Sequence, residues 1–298
     1  MQRIQLVKDE LSFSRCIQGY WRLNEWQMSV AELQAFVEHG LERGITTTDH
    51  ADVYGAFTEE GLFGRMLKQA PHLREQIEMV SKCGILFPCE AQPDVTGVHY
   101  NSGGDYIIRA AERSLRELNT DYLDLLLIHR PDPLMDADEV AQAFNTLKAS
   151  GKVRHFGVSN FSVAQFALLQ SRLDEPLITN QLEISLIHSE PLFDGSLDYL
   201  QQHRINPMAW SCLGGGKVFH DFQYKALREA AMDIAQHYNA ELDQILLAFV
   251  LALPCNAMPI LGSGNTQRIA RQVDATKLQL ERQHWFALLE AARGMPVP

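Results

Sequence analysis

Four side chains in this sequence could together move a proton: Asp49, Tyr54, Lys82 and His129. Asp49 and Tyr54 follow the β-branched run Ile45 to Thr48. Lys82 follows Ile77 to Ser81, and His129 follows Tyr122 to Ile128. A tyrosine with an ordinary pKa near 10 is a poor acid at neutral pH. A lysine ammonium beside it would favour the phenolate and lower that pKa, and an aspartate paired to the lysine would keep the ammonium charged and aimed. A histidine at hydrogen-bond distance could orient a carbonyl oxygen. Protonating that oxygen as hydride reaches its carbon is general acid catalysis of carbonyl reduction. Singly, each residue has a plainer role. Asp49 could form a turn, Tyr54 could pack half-buried, Lys82 could be a solvated strand end, and His129 a satisfied core histidine. Only the joint pattern points to chemistry.

The elements that would position these residues repeat along the chain. A short apolar strand is followed by a polar or glycine-rich loop and then by an amphipathic segment. Ser29 and Glu32 form a capping box. Leu33, Phe36, Val37, Gly40 and Leu41 follow at helical spacing, and Gly44 is placed to end the helix. Asp105 to Leu118 and Ala137 to Ala149 read as helices, with Gly151 stopping the second. Ser162 and Gln165 form another capping box, opening a helix to about Leu173. Strands are expected at Cys16–Gly19, Ile45–Thr48, Ile77–Ser81, Tyr122–Ile128, Val153–Val158, Leu177–Thr179, Pro207–Trp210 and Met258–Leu261. Alternating strands and helices imply a parallel sheet. Eight units in 298 residues, with no linker-like stretch, predict a single α/β domain over residues 1–298, a (β/α)₈ TIM barrel. A doubly wound open sheet is the runner-up, but no GxGxxG follows the first strand.

In a barrel the site lies where strands end. Strand 1 leads into Gly19-Tyr20-Trp21, strand 5 into Ser159-Asn160 and strand 6 into Asn180-Gln181. Strand 7 ends at Trp210, before Ser211 to Lys217, and strand 8 leads into Gly262-Ser263-Gly264-Asn265, with Arg268 close behind. The sequence resembles the aldo-keto reductases over nearly its whole length. The family's D-x-A-x-x-Y-G segment stands as Asp49 to Gly55, its strand-ending lysine as Lys82, its D-L-x-x-x-H segment as Asp124 to His129, and its G-V-S-N-F segment as Gly157 to Phe161.

The resemblance implies a catalytic tetrad of Asp49, Tyr54, Lys82 and His129, with Tyr54 as proton donor. It also implies a nicotinamide cofactor, NADP(H). Ser159, Asn160 and Gln181 match the residues that hold the nicotinamide carboxamide, and Trp210 matches the aromatic platform beneath the ring. Ser211, Leu213 and Gly215 would lie along the pyrophosphate. Ser263 and Arg268 keep their places near the 2′-phosphate, with Asn265 able to cap the next helix. Gly262 stands where the family has lysine, and Arg271-Gln272 where it often has Glu-Asn at the adenine. Gly19, Tyr20 and Trp21 join this cofactor set. Tyr20, Trp21, Phe87, Arg130 and residues 86–100 are expected to wall the substrate pocket. His50, Asp52, Cys83 and Cys212 read as neighbours of functional residues, and Gly214 to Gly216 as a flexible loop or a phosphate cradle.

Composition narrows the partners. With 26 basic and 37 acidic residues the formal charge is −11, which disfavours nucleic acid and anionic membranes. No apolar run exceeds Ile245 to Leu253, so no transmembrane span is expected. The N-terminal residues lack the long apolar core of a secretory signal. Five scattered cysteines with no CxxC pair predict neither disulfides nor a structural zinc site, and fit a cytoplasmic setting. The expected partner is a small carbonyl compound, with the chain a monomer or weak homo-oligomer. Two other functions compete. One is a cofactor-binding, non-catalytic redox sensor or regulatory subunit. The other is a metal-dependent hydrolase using Asp49, His50, Asp52 and His129, disfavoured because no H-x-H pair is present.

Overall fold

The computed structural model describes residues 1–296. Eight strands close a parallel barrel: β1 (Ile17–Gly19), β2 (Thr47–Asp49), β3 (Glu78–Cys83), β4 (Leu123–Ile128), β5 (Val153–Ser159), β6 (Asn180–Glu183), β7 (Met208–Trp210) and β8 (Met258–Leu261). Each pairs with the next in sequence, and β8 pairs with β1. The principal helices are α1 (Val30–Glu42), α2 (Glu59–Gln69), α3 (Gly104–Glu117), α4 (Ala137–Ala149), α5 (Val163–Gln170), α6 (Ser196–Gln202), α7 (Lys225–His237), α8 (Leu242–Leu251), α9 (Thr266–Asp274) and α10 (Arg282–Arg293). Among the described residues no helix is long and apolar enough to cross a membrane.

Local chemistry explains the boundaries. Both capping boxes form: Ser29 with Glu32 opens α1, and Ser162 with Gln165 opens α5. Asp136 caps α4 by accepting from the amides of Asp138 and Glu139. Gly44 follows α1 at φ +81°, a left-handed conformation that glycine adopts without steric cost. Helix α5 ends at Gln170, earlier than the sequence predicts.

The largest difference is at β6. An apolar strand was expected at Leu177–Thr179, but the paired strand is Asn180–Glu183, two of whose residues were expected in the loop beyond it. Polar residues are tolerated there because their groups are satisfied. Asn180 Nδ2 donates to the Phe161 carbonyl oxygen, and Gln181 Nε2 to Asp49 Oδ1.

The core has two parts. Leu126, Ile128, Val158 and Ala209 join the helices in the outer cluster. Ile17, Val80, Leu125, Leu127, Met208 and Met258 form an inner cluster with Ile4, Leu11 and Phe13. Those last three come from an N-terminal antiparallel hairpin, Arg3–Val7 with Leu11–Ser14. Ser14 exchanges hydrogen bonds with Thr46 and Thr47, and Arg3 reaches Thr46 and Glu78. These contacts all lie where β2 and β3 begin. The hairpin therefore floors the barrel opposite its mouth.

Helices α2 and α3 meet at Gly64, where an added Cβ would overlap the Glu117 carbonyl. Gly64→Ala is expected to destabilise the protein by about 1–3 kcal/mol through overpacking, although alanine is intrinsically the better helix former. Denaturant unfolding measures this. An unchanged or higher midpoint would contradict the close approach.

Candidate active site

The parallel register brings three strand ends together. Asp49 is the last residue of β2, level with Val80 of β3, and Lys82 lies level with Leu127 of β4. Backbone bonds lock the segments beyond: the Asp52 amide donates to the Lys82 carbonyl oxygen at 3.0 Å, and the His129 amide to that of Cys83 at 2.8 Å.

Lys82 is completely buried. Its ammonium donates to Asp49 Oδ2 at 2.8 Å, to the His50 carbonyl oxygen at 2.8 Å and to the Tyr54 phenolic oxygen at 2.9 Å. An ammonium has three N–H donors, and all three are used. Tyr54 is therefore an acceptor toward Lys82, and its own O–H is free to point elsewhere. The other Asp49 oxygen accepts from Gln181 Nε2 at 2.7 Å. Burial by itself would lower the Lys82 pKa, but Asp49 and Tyr54 outweigh it, and the pKa lies above the ordinary lysine value.

Tyr54 corrects one expectation. Lys82 does pull its pKa down, but burial of the phenol pushes harder, and the pKa rises to about 12. The ring of His129 stands nearly perpendicular to Tyr54, with centroids 5.9 Å apart. Burial holds the His129 imidazole well below the ordinary histidine range, helped by the nearby charges of Lys82 and Arg130. It is neutral at pH 7, and its Nδ1 has no hydrogen-bond partner.

A cavity of about 960 Å³ opens over these groups, near the upper end of the roughly 300–1,000 Å³ usual for small-molecule and cofactor sites. Asp49, Tyr54 and His129 lie at its base, with Gly19 and Trp21 beside them. Ser159, Asn160, Gln181 and Trp210 form one wall. Trp210 Nε1 donates to Asn160 Oδ1, and Asn160 Nδ2 to Ser159 Oγ. Asn160 and Ser211 both have left-handed φ, +61° and +54°, a strain typical of functional loops.

The cavity continues past Ser211, Leu213 and Gly215 to Gly262, Ser263, Arg268 and Gln272. Arg268 is exposed, with no ion-pair partner among the described residues. Gln272 is buried and donates to Asp243 Oδ2, while its own Oε1 has no partner.

Three residues of the expected catalytic and cofactor set do not line the cavity, and of the expected wall at residues 86–100 only Phe87 does. Lys82 lies behind Asp49 and Tyr54. Tyr20 turns into the core, stacked on His50 at 4.9 Å and edge-on to Phe63. Asn265 caps α9, its side chain accepting from the Arg268 amide. Of the expected substrate walls, Trp21, Phe87 and Arg130 face the cavity. Sequence reasoning missed Arg22, Phe219, His220 and Asp243. Asp243 is buried and paired with Arg271 at 2.8 Å. Nothing in its local sequence marks it, because its partners come from another helix.

A second polar layer lies behind Lys82. Asp52 is buried against Arg113 at 2.8 Å and Tyr106, and Glu60 accepts from Ser81 Oγ. Burial raises both carboxyls to about 7, from ordinary values of 3.8 and 4.5, despite the pull of Arg113. The folded chain keeps these protons at a pH where the unfolded chain has lost them. Their contribution to stability is therefore full below about pH 4 and is lost as pH rises through about 7. Measured against Glu60→Gln, the unfolding free energy of the wild type is expected to fall between about pH 4.5 and 7, a difference in which the opposite trend from the buried, depressed His50 and His129 cancels. Equal slopes in the two proteins would refute this.

Residues 15–293 match the sequence model of the aldo/keto reductase family. The oxidoreductase YdhF of Escherichia coli is 54% identical, and a 6-dehydroglucose reductase of Agrobacterium fabrum 43% identical, each over the full length of both chains. Among solved structures, an aldo/keto reductase from Klebsiella pneumoniae in complex with NADP and acetate superposes with a TM-score of 0.79. It is 24% identical, and the match covers 100% of this chain and 97% of that one.

Proposed function

The chain belongs to the aldo/keto reductase family, and from that premise we propose that it is an NADPH-dependent reductase of a polyhydroxylated aldehyde. The single observation that carries this reading is the saturation of Lys82. With all three ammonium donors engaged, Lys82 has no proton to offer a substrate, and the phenolic O–H of Tyr54, which accepts from Lys82, is left free to be delivered.

The cofactor is argued from fit. The reduced nicotinamide would supply hydride to the carbonyl carbon. Ser159, Asn160, Gln181 and Trp210 would hold that end, and the cavity runs from them to Arg268 and Gln272. The orphaned Gln272 Oε1 is a buried acceptor suited to the exocyclic amine of a purine. Arg268 is an uncommitted cation at the start of α9, where amide N–H groups also favour an anion.

Proton delivery then rests on the protein. The raised pKa keeps Tyr54 protonated at neutral pH. As the proton leaves for the substrate oxygen, the phenolate that forms is 2.9 Å from a buried ammonium. Charge-assisted bonds of this kind are roughly twice as strong as neutral ones, so Lys82 stabilises the transition state without ionising the resting phenol. Asp49 keeps the ammonium charged, and neutral His129 is free to donate to the substrate oxygen.

The substrate class rests on two supports. The relative that is 43% identical is named for a sugar aldehyde. In this chain Arg130 lines the cavity between His129 and Trp210, its guanidinium 5.6 Å from the Trp210 ring and without an ion-pair partner among the described residues. It can offer several N–H donors to hydroxyl oxygens. The five cysteines are all free, in keeping with a cytoplasmic enzyme.

Three outcomes test the proposal. Tyr54→Phe is expected to lose roughly 10²- to 10⁴-fold in turnover, the contribution of a general acid, with cofactor affinity nearly intact. Lys82→Met should be crippled too, and Asp49→Asn damaged less. Near-normal NADPH oxidation by the Tyr54 variant would overturn the role, as would an enzyme inert toward every aldehyde, which would favour a regulatory subunit.

NADPH is expected to bind more tightly than NADH, with Arg268 supplying much of the difference. One charge-assisted hydrogen bond is worth about 1.5–3 kcal/mol, or roughly 10- to 150-fold. Tryptophan-fluorescence titration of both cofactors in wild type and Arg268→Ala decides this. An unchanged ratio would place phosphate recognition elsewhere.

Arg130→Met is expected to raise KM for a sugar aldehyde while sparing a simple aliphatic one. Steady-state kinetics on the pair would show equal effects if Arg130 had no part in recognition.

A further inference from the structure

Outside the cavity, two helices bring together a second set of chemical groups. His237 is the last residue of α7. Glu281 immediately precedes α10, and His284 lies in the first turn of α10. One ligand atom from each of the three lies within 4.8 Å of the other two. His237 Nε2 is 3.8 Å from Glu281 Oε1, and the two imidazole rings have centroids 4.9 Å apart at an angle of 61°.

We propose that His237, Glu281 and His284 form a binding site for a divalent transition-metal ion of the zinc class, which clamps α10 to α7. Two imidazoles and one carboxylate are a donor set for zinc, nickel, cobalt or copper. Magnesium and calcium, which prefer oxygen ligands, are disfavoured. Ligands at about 2.1 Å from a tetrahedral ion stand roughly 3.4 Å apart. The present spacing, up to 4.8 Å, is wider by at most about 1.4 Å, a distance that side-chain rotation closes. His237 and Glu281 are both exposed and free to make that adjustment.

Neighbouring groups already orient two of the ligands. The Tyr238 phenolic oxygen is 2.9 Å from His284 Nδ1 and accepts the Glu281 amide at 2.8 Å. When His284 donates Nδ1–H to Tyr238, its Nε2 keeps the lone pair that a metal needs. This is the usual way an outer hydrogen bond selects the ligating tautomer. Gln283 Nε2 donates to Glu281 Oε2 at 2.8 Å, which leaves Oε1 on the side of His237. None of these residues lines the cavity, so the site is structural and independent of the reductase reading. Its effect would fall on the C-terminal helix. That helix is otherwise anchored by Trp285, stacked on Phe249 and bonded to the Phe249 carbonyl oxygen.

The test uses tag-free, metal-stripped, full-length protein. Zinc titration by calorimetry is expected to show one ion per chain, and cobalt to give the visible absorption of a low-symmetry nitrogen and oxygen site. Zinc should raise Tm, because an ion that binds only the folded state stabilises it. Magnesium should neither bind nor shift Tm. His237→Ala and His284→Ala should each abolish saturable zinc binding, and the Tm of each should no longer respond to zinc. Tyr238→Phe should weaken binding about 10-fold. Absence of saturable uptake, unchanged affinity in the His237→Ala/His284→Ala double variant, or half an ion per chain with dimerisation would each overturn the site.

Discussion

A fully buried ammonium organises the mouth of this barrel. Removing a charge from water costs several kcal/mol unless its hydrogen bonds are replaced, and Lys82 has none of its surface exposed. Its three donors are met by one carboxylate, one carbonyl and one phenol. These come from β2 and from the segment just beyond it, so β2 and β3 must stay in register and residues 50–54 must fold back over them. The short 3₁₀ turn at Tyr54–Ala56, with Gly55 at φ +56°, is part of that fold-back. A residue with a side chain would be strained there and would collide with Asn24 and Glu59.

The same constraint reaches outward. Asp49 satisfies Lys82 with one oxygen and engages Gln181 with the other, which ties β2 across the barrel to β6. Gln181 is thus both a wall of the cavity and a support for its charge pair. His50, next to Asp49, turns into the core between Tyr20 and Phe63, where burial and nearby cations depress its pKa to about 3. The Asp52–Arg113 and Glu60–Ser81 contacts back the same strands from the helix side. Beneath them, the N-terminal hairpin packs Ile4, Leu11 and Phe13 against the apolar inner core.

At the far end of the cavity the design differs. Asp243, on α8, is held by Arg271 and Gln272 of α9. This pairing neutralises Arg271 and fixes the Gln272 amide, while Arg268, one turn earlier on α9, remains uncommitted. Arg268 is thereby left as a cation at this end of the cavity with no ion-pair partner among the described residues.

Much of this was legible along the chain. The four mouth residues each stand just past an apolar run, and the capping residues Ser29, Glu32, Ser162 and Gln165 mark their helices because capping is a local interaction. The alternation of strand and helix implied a parallel sheet, since parallel strands require crossovers, and eight such units favoured its closure into a barrel. Other features depended on groups distant in sequence. Asn180 and Gln181 look like loop residues until their partners Phe161 and Asp49 are in place. Tyr20 looks like a wall residue until Phe63 and His50 enclose it. The Tyr54 pKa could not be read from the presence of Lys82, because burial, a property of the whole fold, opposes the lysine and wins. Nor could the pairing of His237 with Glu281 and His284, which lie more than forty positions further on and meet only because α7 and α10 pack together. Residue types and their order thus determined which chemistry was possible. Desolvation and contacts between distant segments decided which protons are held, and where.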